Sequence, residues 1–351
     1  MIRVLIVEDS ESCIQLLTHL LSAKEGFEVI GVARDGRLAV LMAAALRPDV
    51  ISMDLNLPVM SGLEATKIIM EESPAPIVII SSAYSSEASF SFNALQAGAV
   101  AVMDKPRYQQ GERDSQAQEV LRTLRTMSEV KVVRRRPLMT QQESSATRGA
   151  SSLSLPSGGV KVIAMGASTG GPPVIQQILT DLPRDLPAPI LIVQHITSGF
   201  TSGFVQWLNQ TTGMKISMAE QGETARPGQV YVAPEGVHLL LSASGALLLS
   251  ASRPECGVRP SATVLFRSVA TTFGKNAVGV LLTGMGRDGA DGLKLMKYRG
   301  AVTIAQDQQS SLIHGMPGEA IKLGAASRIL PDSRIAWYLK TVLGLDNGGS
   351  R

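Results

Sequence analysis

The first 106 residues alternate short apolar runs with amphipathic helical stretches. The apolar runs predict strands at 4–7, 28–33, 50–53, 77–80 and 99–102. Apolar residues at helical spacing predict helices between them, most clearly at 10–22, 36–47 and 62–72. Strands that alternate with helices in this way form parallel sheets. This region is therefore predicted to be a doubly wound α/β domain of flavodoxin-like type.

The same alternation resumes at residue 160 and continues nearly to the end of the chain. Strands are predicted at 160–165, 190–194, 229–232, 246–249, 277–282 and 301–305. Aromatic residues are only 4% of the sequence, so both cores must be built from aliphatic side chains, which favours layered α/β packing. We expect a second doubly wound parallel-sheet domain, Rossmann-like in its layers.

A polar segment separates the two patterns. Apolar residues at helical spacing within 111–128 predict a last amphipathic helix for the first domain. The residues from 131 to 159 are then rich in Arg, Gln, Ser and Thr, which is typical of a linker. The predicted division is a first domain at 1–125, a linker at 126–157 and a second domain at 158–351.

Charge is distributed unevenly although the net charge is only +3. Residues 1–106 hold 7 basic and 13 acidic side chains, whereas both later segments are net positive. We expect the acidic first domain and the basic remainder to attract one another. The Arg run at 131–136 would suit nucleic acid, but four basic residues in a linker are more often simply solvated, so no nucleic-acid partner is expected.

The sequence gives no sign of membrane insertion or of a disulfide framework. The least polar long stretch, 239–252, is 14 residues with four serines, short of the roughly 20 needed to span a bilayer. The N-terminus reaches acidic residues too early for a signal peptide. Cys13 and Cys256 lie far apart. A cytoplasmic protein, not inserted in a membrane, is the expectation.

Five polar residues follow strands of the first domain. Glu8 and Asp9 come after the first strand, Asp54 after the third, Ser81 ends the fourth and Lys105 follows the fifth. Strand ends of a doubly wound sheet converge at one edge, where three carboxylates suit Mg²⁺. Asp54 is then the candidate nucleophile toward a phosphoryl group, whose oxygens would meet Ser81 and Lys105. The alternative is that each acid merely caps a helix.

Several motifs of this domain resemble those of response-regulator receiver domains. They are Val7-Glu8-Asp9-Ser10, Met53-Asp54-Leu55-Asn56-Leu57-Pro58 with Ser61-Gly62, Ile80-Ser81-Ser82 and Lys105-Pro106. The resemblance implies phosphorylation of Asp54 by a histidine kinase, with Glu8 and Asp9 as ligands of Mg²⁺. It also implies a cis peptide bond before Pro106.

A glycine-rich turn after the first strand of the second domain carries a serine. The segment Gly166-Ala-Ser168-Thr-Gly170 matches Gly-x-Ser-x-Gly, in which small neighbours permit a sharp turn that exposes a nucleophilic hydroxyl near a helix N-terminus. The alternative is a structural turn in which Ser168 caps the helix. The turn has no lysine and so is not a Walker loop.

A second glycine-rich turn, Gly284-Met-Gly286-Arg-Asp288-Gly289, permits a different interpretation. It matches Gly-x-Gly-x-x-Gly, and Asp307 lies where a ribose-binding acid would be expected. A dinucleotide-binding oxidoreductase domain under receiver control is therefore an alternative function. Asp288 would, however, place a negative charge in a loop meant to hold a pyrophosphate.

One of the four histidines lies at the same predicted edge as Ser168. His195 ends the strand 190–194 and is the best candidate for a general base. His19 lies on a helix of the first domain, His238 fits a satisfied, half-buried strand position, and His314 remains possible in its loop. Ser168, His195 and Asp288 all follow strand ends, so they can form a nucleophile, base and acid.

The second half also resembles the catalytic domain of chemotaxis protein-glutamate methylesterases. The matching segments are 166–171, Gln194-His195, Tyr231-Val-Ala-Pro234 with Gly236 and His238, Arg259-Pro-Ser261 with Leu265-Phe-Arg-Ser268, Leu282-Thr-Gly-Met-Gly286 with Asp288-Gly289, Ile304-Ala-Gln-Asp307 and Gly315-Met-Pro317.

This second resemblance implies an activity and its site. It implies a Ser168–His195–Asp288 triad, an oxyanion hole that uses the Met285 amide, and no cofactor for the esterase reaction. Implied substrates are chemoreceptors, demethylated at glutamate methyl esters and deamidated at glutamines. Ile196-Thr197 stands where the family usually has Met-Pro, so the loop beside the base is expected to differ.

Overall fold

The computed structural model describes residues 1–81, 88–106, 113–130, 132 and 159–345. The chain divides into two compact units. The first comprises 1–81 and 97–157, and the second comprises 158–351 together with 82–96. Most of the predicted linker, including the Arg run, lies outside the described residues.

The first unit is built on a five-stranded parallel sheet. Its strands are β1 (Ile2–Val7), β2 (Phe27–Ala33), β3 (Val50–Met53), β4 (Ile77–Ser81) and β5 (Ala101–Asp104). Their order is β2-β1-β3-β4-β5, which is the flavodoxin-like order that the sequence predicts. The helices of this part of the chain are α1 (Glu11–Leu20), α2 (Gly36–Leu46), α3 (Gly62–Glu72), α4 (Ala88–Ala97) and α5 (Arg113–Ser128).

A seven-stranded parallel sheet forms the centre of the second unit. Its order is β14-β13-β12-β6-β7-β9-β8. The strands of this unit are β6 (Val162–Ala167), β7 (Ile190–Gln194), β8 (Lys215–Met218), β9 (Gln229–Val232), β10 (His238–Leu241), β11 (Leu247–Ser250), β12 (Ala277–Leu281), β13 (Val302–Gln306) and β14 (Arg328–Leu330). The helices are α6 (Gly171–Asp181), α7 (Thr201–Thr212), α8 (Ala262–Phe273), α9 (Ala290–Tyr298), α10 (Met316–Lys322) and α11 (Asp332–Val342).

Three strands of the second unit differ from the sequence prediction. The run predicted at 246–249 is not part of the large sheet, because β11 pairs antiparallel with β10 in a separate hairpin. Strands β8 and β14 were not predicted. Both lie at edges of the sheet and carry polar or charged residues, so they lack the continuous apolar run of a central strand.

The central strands β6, β7 and β12 are buried along their whole length. Helices cover a doubly wound sheet on both faces, which explains why these strands are apolar at almost every position. Strand β6 is the first strand of the unit and has β7 on one side and β12 on the other. The crevice at the carboxyl ends of these strands is the place where such sheets bind ligands. Within the described residues, no helix combines the length and the apolar character that a membrane span requires.

Candidate functional site

Three carboxylates of the first unit meet at the carboxyl ends of β1 and β3. Glu8, Asp9 and Asp54 each place one oxygen within 4.8 Å of the other two. Glu8 and Asp54 are buried, whereas Asp9 is exposed. Oxygen donors of this number and charge suit a divalent cation such as Mg²⁺. The residues therefore fit the ion that a receiver domain implies.

Lys105 lies against two of these carboxylates. Its Nζ is 2.9 Å from Glu8 Oε2 and 2.9 Å from Asp54 Oδ2. Burial alone would lower the pKa of Lys105, but hydrogen bonds and charges from Glu8 and Asp54 outweigh burial and raise it. Burial raises the pKa of Asp54, and Lys105 opposes that shift. The lysine is thus a permanent cation beside the candidate nucleophile.

Ser81 ends β4, one strand away from Asp54. Its hydroxyl is buried and has no hydrogen-bond partner among the residues that the structure describes. A buried hydroxyl without a partner is costly, so a ligand oxygen at this place would be favourable.

All five residues that the sequence predicts for this pocket follow or end strands of the parallel sheet, at the edge formed by the carboxyl ends of the strands.

The turn that carries Ser168 joins β6 to α6. The Ser168 amide donates to Thr283 O at 3.0 Å, and its carbonyl accepts from the Gly171 amide at 2.8 Å. Gly170 has a φ of +79°, a left-handed conformation that favours glycine. The turn leaves Ser168 half-buried at the N-terminus of α6, where prolines occupy the first helical turn.

His195 and Asp288 form a hydrogen-bonded pair. His195 follows β7, and its Nε2 is 2.9 Å from Asp288 Oδ2. Only 15% of the His195 side chain and 4% of the Asp288 side chain are exposed. The ionised carboxylate only accepts hydrogen bonds, so the neutral imidazole carries its proton on Nε2 and presents Nδ1 as an acceptor.

Asp288 is also held by the N-terminus of α8. The Ser261 hydroxyl donates to Oδ1 at 2.6 Å, the Ala262 amide to Oδ2 at 2.6 Å and the Thr263 amide to Oδ1 at 3.1 Å. Burial raises the pKa of Asp288, but His195 and these donors together lower it to about 2. The carboxylate is therefore ionised at neutral pH.

Ser168 and His195 lie side by side, but their side chains are not hydrogen-bonded. The residues before them, Ala167 and Gln194, are paired in the parallel sheet. Among the described residues, the structure contains the His195–Asp288 bond and no bond between the Ser168 hydroxyl and the imidazole. Catalytic hydrogen bonds commonly form only when substrate is bound, so the missing bond is compatible with a triad of Ser168, His195 and Asp288.

The loop that contains Met285 borders the serine. A Cβ added to Gly284 would lie 2.6 Å from Ser168 Cβ, so this loop can approach the serine only with glycine at that position. Met285 is about half exposed, and its amide donates to no acceptor within the described part of the chain. An amide that is free beside a nucleophile is suited to an oxyanion.

The other predicted residues do not join this cluster. His238 is fully buried rather than half-buried. It accepts from the Ser261 amide through Nδ1, and its Nε2 lies 3.2 Å from Arg253 O. His314 contacts Ser311. Burial lowers the pKa of His314. Asp307 accepts hydrogen bonds from the amide and hydroxyl of Ser310, so it caps its own loop.

A cleft of about 580 Å³ opens beside His195. Glu235 and Arg259 line it with opposite charges, together with the loop 196–201. Glu235 accepts a hydrogen bond from the Gly199 amide at 2.8 Å and so holds that loop. Arg259 precedes a cis peptide bond to Pro260. It is the one cis peptide bond among the described residues. The cis peptide bond that the sequence predicts before Pro106 is therefore not present.

Several residues that build the site were not predicted from the sequence. Ser261 and Thr263 hold the acid, and Gln194 contacts both Ser168 and His195. Ser261 caps α8, accepting from the Val264 amide, so the Pro-Ser pair before a helical pattern was the available signal. No local pattern indicates that this cap faces Asp288.

The sequence matches two known families. The model of the CheB methylesterase family matches residues 163–339. The model of the response regulator receiver domain matches residues 4–112. A crystal structure of the Thermotoga maritima CheB methylesterase catalytic domain is similar at 35% identity and a TM-score of 0.50. It covers 53% of this chain and 98% of that domain.

Similarity to full-length relatives extends over both halves. Protein-glutamate methylesterase/protein-glutamine glutaminase 1 of Syntrophus aciditrophicus is 48% identical over 346 residues, covering 98% of this chain and 99% of the relative. The enzyme of the same name from Nitrosospira multiformis is 45% identical over 345 residues, covering 98% of this chain and 97% of the relative. The chain therefore belongs to the protein-glutamate methylesterase/protein-glutamine glutaminase family, in which a receiver domain precedes a CheB methylesterase domain.

Proposed function

We propose that this protein hydrolyses glutamate methyl esters on chemoreceptors and deamidates receptor glutamines, using Ser168, His195 and Asp288. The observation that carries the proposal is the hydrogen bond of 2.9 Å between His195 Nε2 and Asp288 Oδ2 at the strand end beside Ser168. In a triad hydrolase, a buried acid fixes the tautomer of an imidazole that lies next to a serine. Asp288, His195 and Ser168 have this arrangement.

Acylation begins when Ser168 Oγ attacks the carbonyl carbon of the glutamyl ester. His195 accepts the serine proton through Nδ1, because Nε2 is already committed to Asp288. The imidazolium that forms is stabilised by the ionised Asp288. The Met285 amide donates to the developing oxyanion. The imidazolium then protonates the methoxy group as the C–O bond breaks, so methanol leaves and an acyl-enzyme remains.

Water completes the reaction by the reverse proton path. His195 takes a proton from water as the water attacks the acyl-enzyme, and it returns the proton to Ser168 Oγ as the free glutamate leaves. For a glutamine substrate the same sequence releases ammonia in place of methanol. No cofactor enters any of these steps.

The receiver is proposed to control this activity. A histidine kinase donates a phosphoryl group to Asp54, with Lys105 and the Ser81 hydroxyl contacting its oxygens. Glu8, Asp9 and Asp54 would hold Mg²⁺, which neutralises phosphoryl charge. Phosphorylation then shifts the population toward the active enzyme.

The location that we propose is the cytoplasm. Cys13 and Cys256 are free thiols, which are typical of a reducing compartment and support this location.

The nucleophile assignment is tested by Ser168→Ala. Methanol release from methylated receptor membranes should fall by at least about 10³-fold, because the covalent step is lost. Ser244→Ala is the matched control, since Ser244 lies in the turn between β10 and β11 and, among the described residues, its hydroxyl is hydrogen-bonded to Ser242 alone. Methanol release by Ser168→Ala equal to that of the control would show that Ser168 is not the nucleophile.

A further inference from the structure

Gln194 is the last residue of β7 and comes directly before the base. Its side chain is 6% exposed. The amide nitrogen donates two hydrogen bonds, one to Ser168 O at 2.8 Å and one to His195 O at 2.8 Å. A single side-chain amide thus bridges the backbone of the nucleophile and the backbone of the base.

The bridge lies where the sheet no longer connects these two residues. The paired register of β6 and β7 ends at Ala167 and Gln194, and the His195 amide makes the final bond, to Ala167 O at 2.9 Å. Beyond this point Ser168 turns toward α6, and its amide bonds to Thr283 on the opposite side. The Gln194 amide therefore replaces the hydrogen bonds that the sheet would otherwise supply.

The orientation of the amide follows from its partners. Two carbonyl oxygens can be satisfied only by the NH₂ group, because the amide oxygen cannot donate. In this orientation Oε1 is buried and has no partner among the described residues. A Cβ added to Gly171 would clash with Oε1, so the amide is accommodated only because residue 171 is glycine. Both N–H groups are used while the buried acceptor has no partner among the described residues, so the two donated bonds orient the side chain.

We propose that Gln194 is a positioning residue that sets the separation between Ser168 and His195, so that Oγ reaches Nδ1 when substrate binds. This inference rests on the roles proposed above for Ser168 and His195. Gln194 touches backbone atoms of both residues and no reacting atom, so it acts through them. Displacements near 1 Å of such groups reduce rates by about 10²-fold.

Gln194→Met tests the proposal, because methionine keeps the length and burial of the side chain but has no donor. The value of kcat for methanol release should fall about 10- to 100-fold, while KM changes less than about 3-fold. The second-order rate at which a small sulfonyl fluoride inactivates the enzyme should fall in parallel. That reagent needs the serine and its base but no receptor.

Gln176→Met is the matched control. Gln176 is a buried glutamine on α6, but its amide donates to Thr180 and does not contact the site. This variant should keep kcat and the inactivation rate of the unmodified protein within about 2-fold. Thermal unfolding of both variants separates a positional effect from a general loss of stability.

The outcomes distinguish this inference from the proposed function. Wild-type kcat and inactivation rate in Gln194→Met, beside an inactive Ser168→Ala, would overturn the positioning role and leave the triad intact. An active Ser168→Ala would overturn the triad itself. If Gln194→Met does not fold, Gln194→Asn decides, because its amide is one methylene shorter and cannot span both carbonyls. A folded Gln194→Asn with full kcat would also overturn the positioning role.

Discussion

Asp288 is a buried carboxylate with two hydrogen-bond donors on each oxygen. Oδ1 accepts hydrogen bonds from Ser261 and Thr263, and Oδ2 accepts hydrogen bonds from Ala262 and His195. A buried charge is tolerated only when it is paired and hydrogen-bonded in this way, and the N-terminus of α8 adds a favourable dipole. The cost of burying the acid is therefore met by residues that also fix its direction toward the imidazole.

Because of these donors, the free energy of unfolding of the second unit is expected to depend on pH in the acid range. They lower the pKa of Asp288 from 3.8 to about 2, so the carboxylate contributes stability above about pH 4 and loses it as pH falls toward 2. The contribution is about 2 kcal/mol, since each pKa unit corresponds to about 1.4 kcal/mol. Asp288→Asn should therefore lose less free energy of unfolding than the unmodified protein when pH falls from 5 to 2.

Tryptophan fluorescence in a denaturant titration can measure this difference. The chain has two tryptophans, and both Trp207 and Trp337 belong to the second unit, so the signal reports that unit alone. Asp291→Asn is the control, because Asp291 is a partly exposed carboxylate paired with Arg287 on the surface. If Asp288→Asn and Asp291→Asn lost equal stability over this pH range, the hydrogen bonds to Asp288 would not be lowering its pKa.

At the scale of elements, Thr283 connects three segments that meet at the site. Its hydroxyl lies 3.0 Å from Thr169 O in the serine turn and accepts from the Ile313 amide at 3.0 Å. The carbonyl oxygen of the following residue, Gly284, accepts hydrogen bonds from the amides of Gly315 and Met316 at the start of α10. The loop that carries the Met285 amide is thus fixed from two directions.

Thr283→Val should loosen this connection without changing the shape of the core. Loss of the hydroxyl leaves the Ile313 amide without this acceptor, which should cost about 1–3 kcal/mol of stability. We also expect kcat to fall more than KM rises, because the Met285 amide, the proposed oxyanion donor, is then less well ordered. Denaturant titration and initial rates of methanol release measure the two effects.

Thr271→Val provides the comparison for this variant. Thr271 is exposed on α8, and its hydroxyl donates to Arg267 O one turn earlier and to no other acceptor in the part of the chain that the structure describes. Its replacement should change stability by no more than about 0.5 kcal/mol and leave kcat unaltered. A Thr283→Val protein that behaves like Thr271→Val would show that the hydroxyl does not order the loop.

The elements also explain which parts of the site could be predicted from the sequence. The central strands were predicted closely because burial on both faces produces continuous apolar runs. Polar and charged residues at the ends of these strands then indicate the edge of the sheet at which the site lies. The β10–β11 hairpin was misplaced because a leucine-rich run does not reveal its partner strand. The donors to Asp288 from the start of α8 lie 25 to 27 residues away in sequence, so no local pattern indicates that contact.

At the scale of the whole molecule, the chain combines a receiver domain with a CheB methylesterase domain, and each unit has its own parallel sheet. The large sheet of the second unit lies wholly within residues 159–345. The similar Thermotoga maritima structure is of a methylesterase catalytic domain and matches only 53% of this chain. The fragment 158–351 is therefore expected to fold without the receiver, and it contains the proposed triad of Ser168, His195 and Asp288.

Phosphorylation control can then be separated from catalysis by Asp54→Asn. A small phosphodonor with Mg²⁺ should increase methanol release by the intact protein, but not by Asp54→Asn, because an amide cannot accept the phosphoryl group. The fragment 158–351 should be active with or without the phosphodonor, if the unphosphorylated receiver is inhibitory. Asp49→Asn is the matched control, since Asp49 bonds to the Arg3 amide away from the pocket and should leave the response intact. Equal rates for the fragment and the unphosphorylated intact protein would exclude inhibition, whereas a full response in Asp54→Asn would mean that the phosphoryl group is accepted elsewhere.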